Sequence, residues 1–224
     1  MSPRRSYQIE RVSAKDVARL FEDYHAYGGM SKSQTYLWAV IEDGRPVAAY
    51  SWQPPPYGCA RSVHPDAPWG VLSLSRMVAV PRSERALNHI SKPLRHQMKS
   101  LIDRTRWPAL VTFSDEGLQH RGHVYRCSGW QQTTRSERAQ WVDANGRRTS
   151  TYRNGKHRME GLTCIGRNYI QRWEHHIVPP GEAAEHMREH GWNRVPIPGK
   201  VWRSGKPAHH IVQTPQEPTV GGET

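Results

Sequence analysis

Between residues 112 and 130 the chain reads TFSDEGLQHRGHVYRCSGW. A carboxylate (Asp115), two imidazoles (His120 and His123), a phenol (Tyr125) and a thiol (Cys127) crowd this stretch. These are the groups that move protons and ligate metals. His120 and His123 are three residues apart, which puts two imidazoles on one helical face at metal-ligand spacing. The same spacing also suits an ordinary exposed face. Asp115 stands just past Phe113, at the expected end of an apolar strand, where a carboxylate is positioned and partly desolvated. Its other reading is a helix N-cap; that of Tyr125 is a packed aromatic.

A second stretch, RMVAVPRSERALNHISKPL from Arg76, reads as a strand, a polar turn and a helix opening between Asn88 and Ser91. Free N–H groups at a helix start hold phosphate or diphosphate readily. Asn88, Ser91 and Lys92 would add side-chain contacts to such a ligand. With no ligand, Ser91 simply caps the helix. Arg76 interrupts an apolar strand, and a guanidinium there needs a carboxylate or a ligand as partner.

Several elements must place these groups. SAKDVARLFEDYHAY, residues 13–27, predicts a capped helix with Val17, Leu20 and Phe21 on one face. Residues 36–41 and 47–52 predict a hairpin turning at Asp43-Gly44. YGCARSVHPDAPWG is expected as loop, 70–81 as a strand and the run through Leu94, Met98, Leu101 and Ile102 as a helix. WPALVTFSD and WQQTTR predict strands, and QWVDANGRRTSTYR a second hairpin turning at Asn145-Gly146. GLTCIGRNYIQRWEHH and GEAAEHMREHGW read as helices, RVPIPGKVWRS as extended chain, and residues 214–224 as a disordered tail. This order predicts an α/β fold, a mixed central sheet with helices on both faces. Ligands of open sheets sit beyond the carboxyl ends of central strands, and both stretches above lie there.

Thirty-two Lys and Arg against twenty Asp and Glu leave a net charge of +12, denser after residue 120 and carried mostly by Arg. Such a balance predicts a polyanionic partner, nucleic acid foremost. NGRRTSTYRNGKHRM, residues 145–159, mixes Arg147, Arg148, Arg153, Lys156 and Arg158 with hydroxyl side chains suited to phosphate contact. Three scattered cysteines without a CxxC pair argue against a disulfide framework or a structural zinc site. No apolar run is long enough to span a membrane, and the start MSPRRSYQIERV has no apolar leader. The cytoplasm, of the host cell if the chain is phage-encoded, is the expected compartment.

LSRMVAVP, NHISKPLRHQMKSLI and ALVTFSDEGLQHRGHVYRCSGWQ occur in that order. Over residues 35–135 this combination resembles the GNAT acetyltransferase fold, and more specifically the phage Mom-like DNA-modification proteins. The resemblance implies a transferase that adds a small acyl or carbamoylmethyl-type group to the N6 amine of adenine in phage DNA, protecting it from host restriction. It implies a core over residues 1–135 and a basic extension over 136–213 that completes the fold or clamps DNA. It places Arg76, Ser91, Asp115 and Tyr125 in the catalytic site, with His25 and Tyr24 (or Tyr27) facing the same pocket. It also implies iron, held by His25, Tyr24, Asp115 and Tyr125. Double-stranded DNA with a flipped adenine is the implied substrate, and a homodimer stays open. Acetyl-CoA is the donor of the wider fold, yet the turn RSERALNHISKP lacks its glycines.

The chemistry suits these residues. The adenine amine is a weak nucleophile, its lone pair delocalised into the ring, so transfer needs a proton acceptor such as Asp115. Arg76, Tyr125 or a metal would stabilise the leaving side. The base must leave the stack, and Trp69, Trp107 and Trp130 are candidates to hold it or to pack the core. Three other readings compete: an N-acetyltransferase of a protein or small amine, a non-enzymatic DNA-binding protein, and a nuclease suggested by EHHIVPP at 174–180. The last lacks the downstream His and the Cys pairs such a site uses.

Overall fold

The computed structural model describes residues 7–26, 29–31, 33–146, 148–149, 152–153, 156–157, 159–201 and 207–214. Its centre is an eight-stranded mixed sheet of order β1-β2-β3-β4-β5-β10-β6-β7. The strands are β1 (Gln8–Arg11), β2 (Tyr36–Glu42), β3 (Arg45–Gln53), β4 (Val71–Ala79), β5 (Ala109–Asp115), β6 (Gln131–Val142), β7 (Arg148–Thr149) and β10 (Thr163–His176). All pairings are antiparallel except β4 with β5. Two small ribbons stand apart: β8 (Tyr152–Arg153) with β9 (Lys156–His157), and β11 (Trp192–Val201) with β12 (Pro207–Gln213).

Strand alternation sends side chains to two faces, and helices cover both. Leu37, Ala39, Ala49 and Val78 pack under Val17, Leu20 and Phe21 of α1 (Ala14–Tyr24). Ser13 and Asp16 close that helix with the capping box its sequence predicts. On the same face, Ala60 and Val63 of α2 (Tyr57–Val63) cover Val71, Ala109 and Val111. The opposite residues, Trp38, Val40, Tyr50, Trp52, Leu72 and Leu110, meet Leu94 of α3 (Ser91–His96), Met98 and Tyr125 of α4 (His123–Cys127). A π turn at Gln97–Leu101 ends α3, and buried Gln97 accepts a bond from Trp52 Nε1 at 3.0 Å. The mixed sheet with helices on both faces is thus as expected.

Two local expectations fail. Residues 57–63, expected as loop, form α2: Pro54–Pro56 end the preceding strand, and Ala60 and Val63 then bury one face. The 163–176 segment, expected as a helix, is the longest strand. Tyr169 and Trp173 are four residues apart, a spacing that keeps them on one face of a strand as well as of a helix. Gly166, at φ +136°, breaks helical geometry there, and β5 needs a partner along its outer edge. The second hairpin does turn where its sequence predicts, with Trp141 opposite Thr149 and Gly146 at φ +72°. Beyond the sheet, α5 (Ala183–Glu189) seats Ala183 and Met187 with Ala67. Residues 215–224, where the disordered tail was expected, lie outside the described residues apart from Thr214. Among the described residues, no helix is long and apolar enough to cross a membrane.

Candidate active site

β4 and β5 run parallel for three residue pairs, Val71–Ser73 against Ala109–Val111, and then part. The cause lies in β4. Its register with β3 slips between Ser51 and Trp52, leaving Ser75 as an extra residue, and such a bulge bends its strand. Ser75 Oγ fixes the bulge by donating to the Ser51 carbonyl at 2.9 Å. Thr112 Oγ1 donates to the Leu74 carbonyl at 2.9 Å and closes the floor of the gap. Above it opens a cleft of about 880 Å³.

Arg76 from β4, Asp115 from the end of β5, Tyr125 from α4, and Tyr24 and His25 from the end of α1 all line this cleft. These residues, far apart in sequence, share one cleft. Arg76 NH1 lies 3.0 Å from His25 Nδ1. Burial first, then the charges of Arg76 and His120, push the His25 pKa down to about 4. The ring is therefore neutral at neutral pH, and its Nδ1 accepts from the guanidinium. Asp115 is 7% exposed. One carboxylate oxygen accepts from Gly117 N at 3.0 Å and from Asn168 Nδ2, and the other from Arg148 NH1 at 3.5 Å. The bond to Gly117 is the N-cap role foreseen for Asp115, and it coexists with a place in the cleft. Gly117 leaves the room Asn168 occupies, since a Cβ there would fall 2.0 Å from Asn168 Nδ2. Tyr125 packs against Trp130, Trp173 and His120, and burial pushes its pKa up to about 12, so it is a phenol that donates.

Other expected residues lie elsewhere. Asn88, Ser91 and Lys92 do not line the cleft. Asn88 accepts from Arg82, and the Ser91 carbonyl accepts from Ser128 Oγ. In the turn before α3, the Glu42 carboxylate accepts from Ala86 N at 2.7 Å and Leu87 N at 2.6 Å. Those amides form no cradle for a donor's diphosphate. Arg148 faces the cleft rather than open solvent, bound to Gln140 at 2.7 Å as well as to Asp115. Arg153 and Lys156 pair across β8 and β9, while Arg147, Arg158 and Tyr27 lie outside the described residues. Trp107 and Trp130 are 4% exposed and belong to the core, and Trp69 packs beside α5. The rings that do line the cleft are Tyr24, Phe113, Tyr125 and Trp141.

The expected iron set does not assemble. Tyr24 turns its hydroxyl to Glu84 at 3.3 Å, His25 faces a guanidinium, and Asp115 is held by three donors. A guanidinium 3 Å away repels any cation approaching that imidazole. Among the described residues no three His, Cys, Asp or Glu side chains gather to hold a metal ion. The His120–His123 pair does not gather either. His123 faces Cys127 at 3.4 Å outside the cleft, whereas His120 lines it.

Arg138, which lines the cleft, and Asn168, which holds Asp115, were not singled out by the sequence, and His120 was singled out only as half of a metal pair. His120 N donates to the Asp115 carbonyl at 3.2 Å, so the imidazole follows the strand end closely. Its Nδ1 is shut off from solvent without a hydrogen-bond partner. Burial lowers its pKa, opposed by its own backbone and by the Asp115 charge.

Comparison with known proteins decides the family. The model of the Mom protein family matches residues 6–179. The chain belongs to the Mom protein family. No match was found among curated proteins. Solved structures similar to this Mom chain include an IAA acetyltransferase from Bacillus cereus (11% identity, TM-score 0.48, 76% of this chain and 99% of that one). Another is a Bacillus subtilis acetyltransferase in complex with CoA (8%, 0.47, 77% and 100%). A third is the ribosomal-protein-S18-alanine N-acetyltransferase from Escherichia coli (11%, 0.43, 79% and 97%). At TM-scores below 0.5 these likenesses bear on neither substrate nor donor. The Mom match ends just after β10, so α5 and the β11–β12 ribbon lie beyond it.

Proposed function

We propose that this chain is a DNA-modifying transferase that adds a small acyl or carbamoylmethyl-type group to the N6 amine of adenine. One observation carries the reading: in a Mom-family chain, a single cleft gathers a guanidinium, a pinned carboxylate, a neutral imidazole and a phenol from four separate elements. The adenine enters unpaired, because its amine is unreachable inside a duplex. Its N6 attacks the activated carbon of the donor, forming the N–C bond as the bond to the leaving group breaks. His120 takes the proton released from N6: it lines the cleft and its Nδ1 makes no hydrogen bond, while the Asp115 oxygens are already shared among three donors. Asp115 stabilises the imidazolium that results. Arg76 and the Tyr125 hydroxyl face the charge that builds on the leaving side. The leaving group departs with a proton from the solvent or from Tyr125.

Nucleoside mass spectrometry of DNA from cells expressing the chain tests this. An adenine nucleoside heavier by the transferred group is expected. An unaltered nucleoside profile, with the protein folded in those cells, would sink the reading.

A further inference from the structure

β6 and β10 pair along 131–142 and 163–174, but β5 covers only residues 170–176 of β10. Past the end of β5, residues 136–142 and 163–169 run on as a two-stranded ribbon about 23 Å long, at roughly 3.3 Å per residue. The ribbon's two faces differ in charge. On one, Arg135 binds Glu116 through two nitrogens at 2.7 and 2.8 Å and stacks over Tyr169 at 3.5 Å. On that face too, Arg167 pairs with Glu137 at 2.8 Å. Both cations are neutralised within the protein.

The other face continues the cleft. Register sets Ser136 beside Ile170 and Asp115, and Arg138 beside Asn168. Alternation then places Thr134, Ser136, Arg138 and Gln140 on this side. Thr134, Ser136 and Arg138 are exposed, and Arg138 has no ion-pair partner among the described residues. Arg138, Gln140, Arg148 and Ile170 all line the cleft. A polyanion lying on this face meets guanidinium and hydroxyl donors in one row, the groups that contact phosphates. It also ends at the cleft mouth.

We propose that the cleft-side face of the β6–β10 ribbon is the docking surface for duplex DNA, gripped by its phosphates, with Arg138 as the principal contact. The inference rests on the reading of DNA as substrate and adds where the duplex lies. The neutralised outer face is its internal control. A net charge of +12 favours a polyanion as occupant, and the docked strand delivers its base where Asp115 and His120 wait.

The test is fluorescence anisotropy of a short labelled duplex against the purified chain across a salt series. Arg138→Glu, and separately Ser136→Glu, should weaken binding about tenfold or more, and Arg138→Gln should lower the salt slope by about one. Arg135→Gln and Arg167→Gln should stay within about twofold. Thermal melts of all five variants establish that they are folded. Equal loss from both faces, or none from Arg138, overturns the docking face. Tighter binding of a double-stranded RNA or of polyglutamate than of the DNA overturns the occupant. A wild-type chain that binds no duplex overturns both this inference and the DNA reading. If modified adenine still appears while Arg138 variants bind normally, that reading stands and only the docking face falls.

Discussion

Two clusters of histidine and carboxylate sit on this sheet, and they differ in whether they line the cleft. On β10, the Glu174 carboxylate binds His176 Nε2 at 2.6 Å, Arg172 at 2.7 Å and Thr133 at 2.8 Å. His176 Nδ1 reaches His64 Nε2 at 3.3 Å, and His64 leans toward Asp66, which caps two amides beside α5. That chain of groups ties β6, β10, α2 and α5 together and does not line the cleft beside Asp115. In the cleft the same residue types, with Arg76 added, line a space a substrate can enter, and His120 is among them. Residue type and proximity alone do not distinguish a brace from a reaction centre. Access does.

Substitutions can break that contrast. The largest effect belongs to Asp115→Ala, which should abolish adenine modification while the protein still binds duplex DNA. Loss of binding in a folded variant would remove Asp115 from the chemistry. His120→Gln should come next, lowering the rate of modification by about 10²- to 10⁴-fold, the range for a missing proton acceptor. Unchanged modification would return that role to Asp115. Glu174→Gln should act in the opposite sense. It should cost about 3 kcal/mol in urea unfolding, as when one partner of a buried ion pair is removed, with modification per folded molecule unchanged. A fall in modification with stability intact would make the brace part of the site.

The smallest effect is a pH dependence. His25 is held neutral, its folded pKa near 4 and below the unfolded value. Its contribution to stability is therefore complete above about pH 6.5, the ordinary histidine value, and is lost as pH falls toward 4. Midpoints of denaturant unfolding should drop across that window, and His25→Gln should flatten the drop. A slope unaltered by the substitution would place the acid sensitivity elsewhere, His64, whose pKa burial lowers, being the next place to look.

Much of the cleft was legible because its residues end strongly patterned elements. The amphipathic α1 delivers His25, the apolar β4 carries Arg76, and the apolar β5 delivers Asp115. What the sequence hid was the far wall. The apolar spacing of β10 fits two periods at once, and only its pairing between β5 and β6 chooses the strand. With that strand read as a helix, Asn168 had no path to Asp115, and Arg138 no reason to face the cleft. Arg148 looked like part of a DNA clamp for a similar reason. A two-residue strand at the sheet edge carries it inward, and no local pattern announces such a pairing. The metal expectation failed on a charge that spacing cannot show, the guanidinium set against His25.

The placing of β10 has a consequence in time. A strand ending at His176 is inserted between two that are complete by Val142, so β5 and β6 have no contact to make until the intervening segment is synthesised. Until then β5 presents a bare apolar edge, the kind of surface on which nascent chains stick to one another. A ribosome must travel past residue 176 before one wall of the cleft exists. The folding step that protects the chain from aggregation is then also the step that completes the cleft.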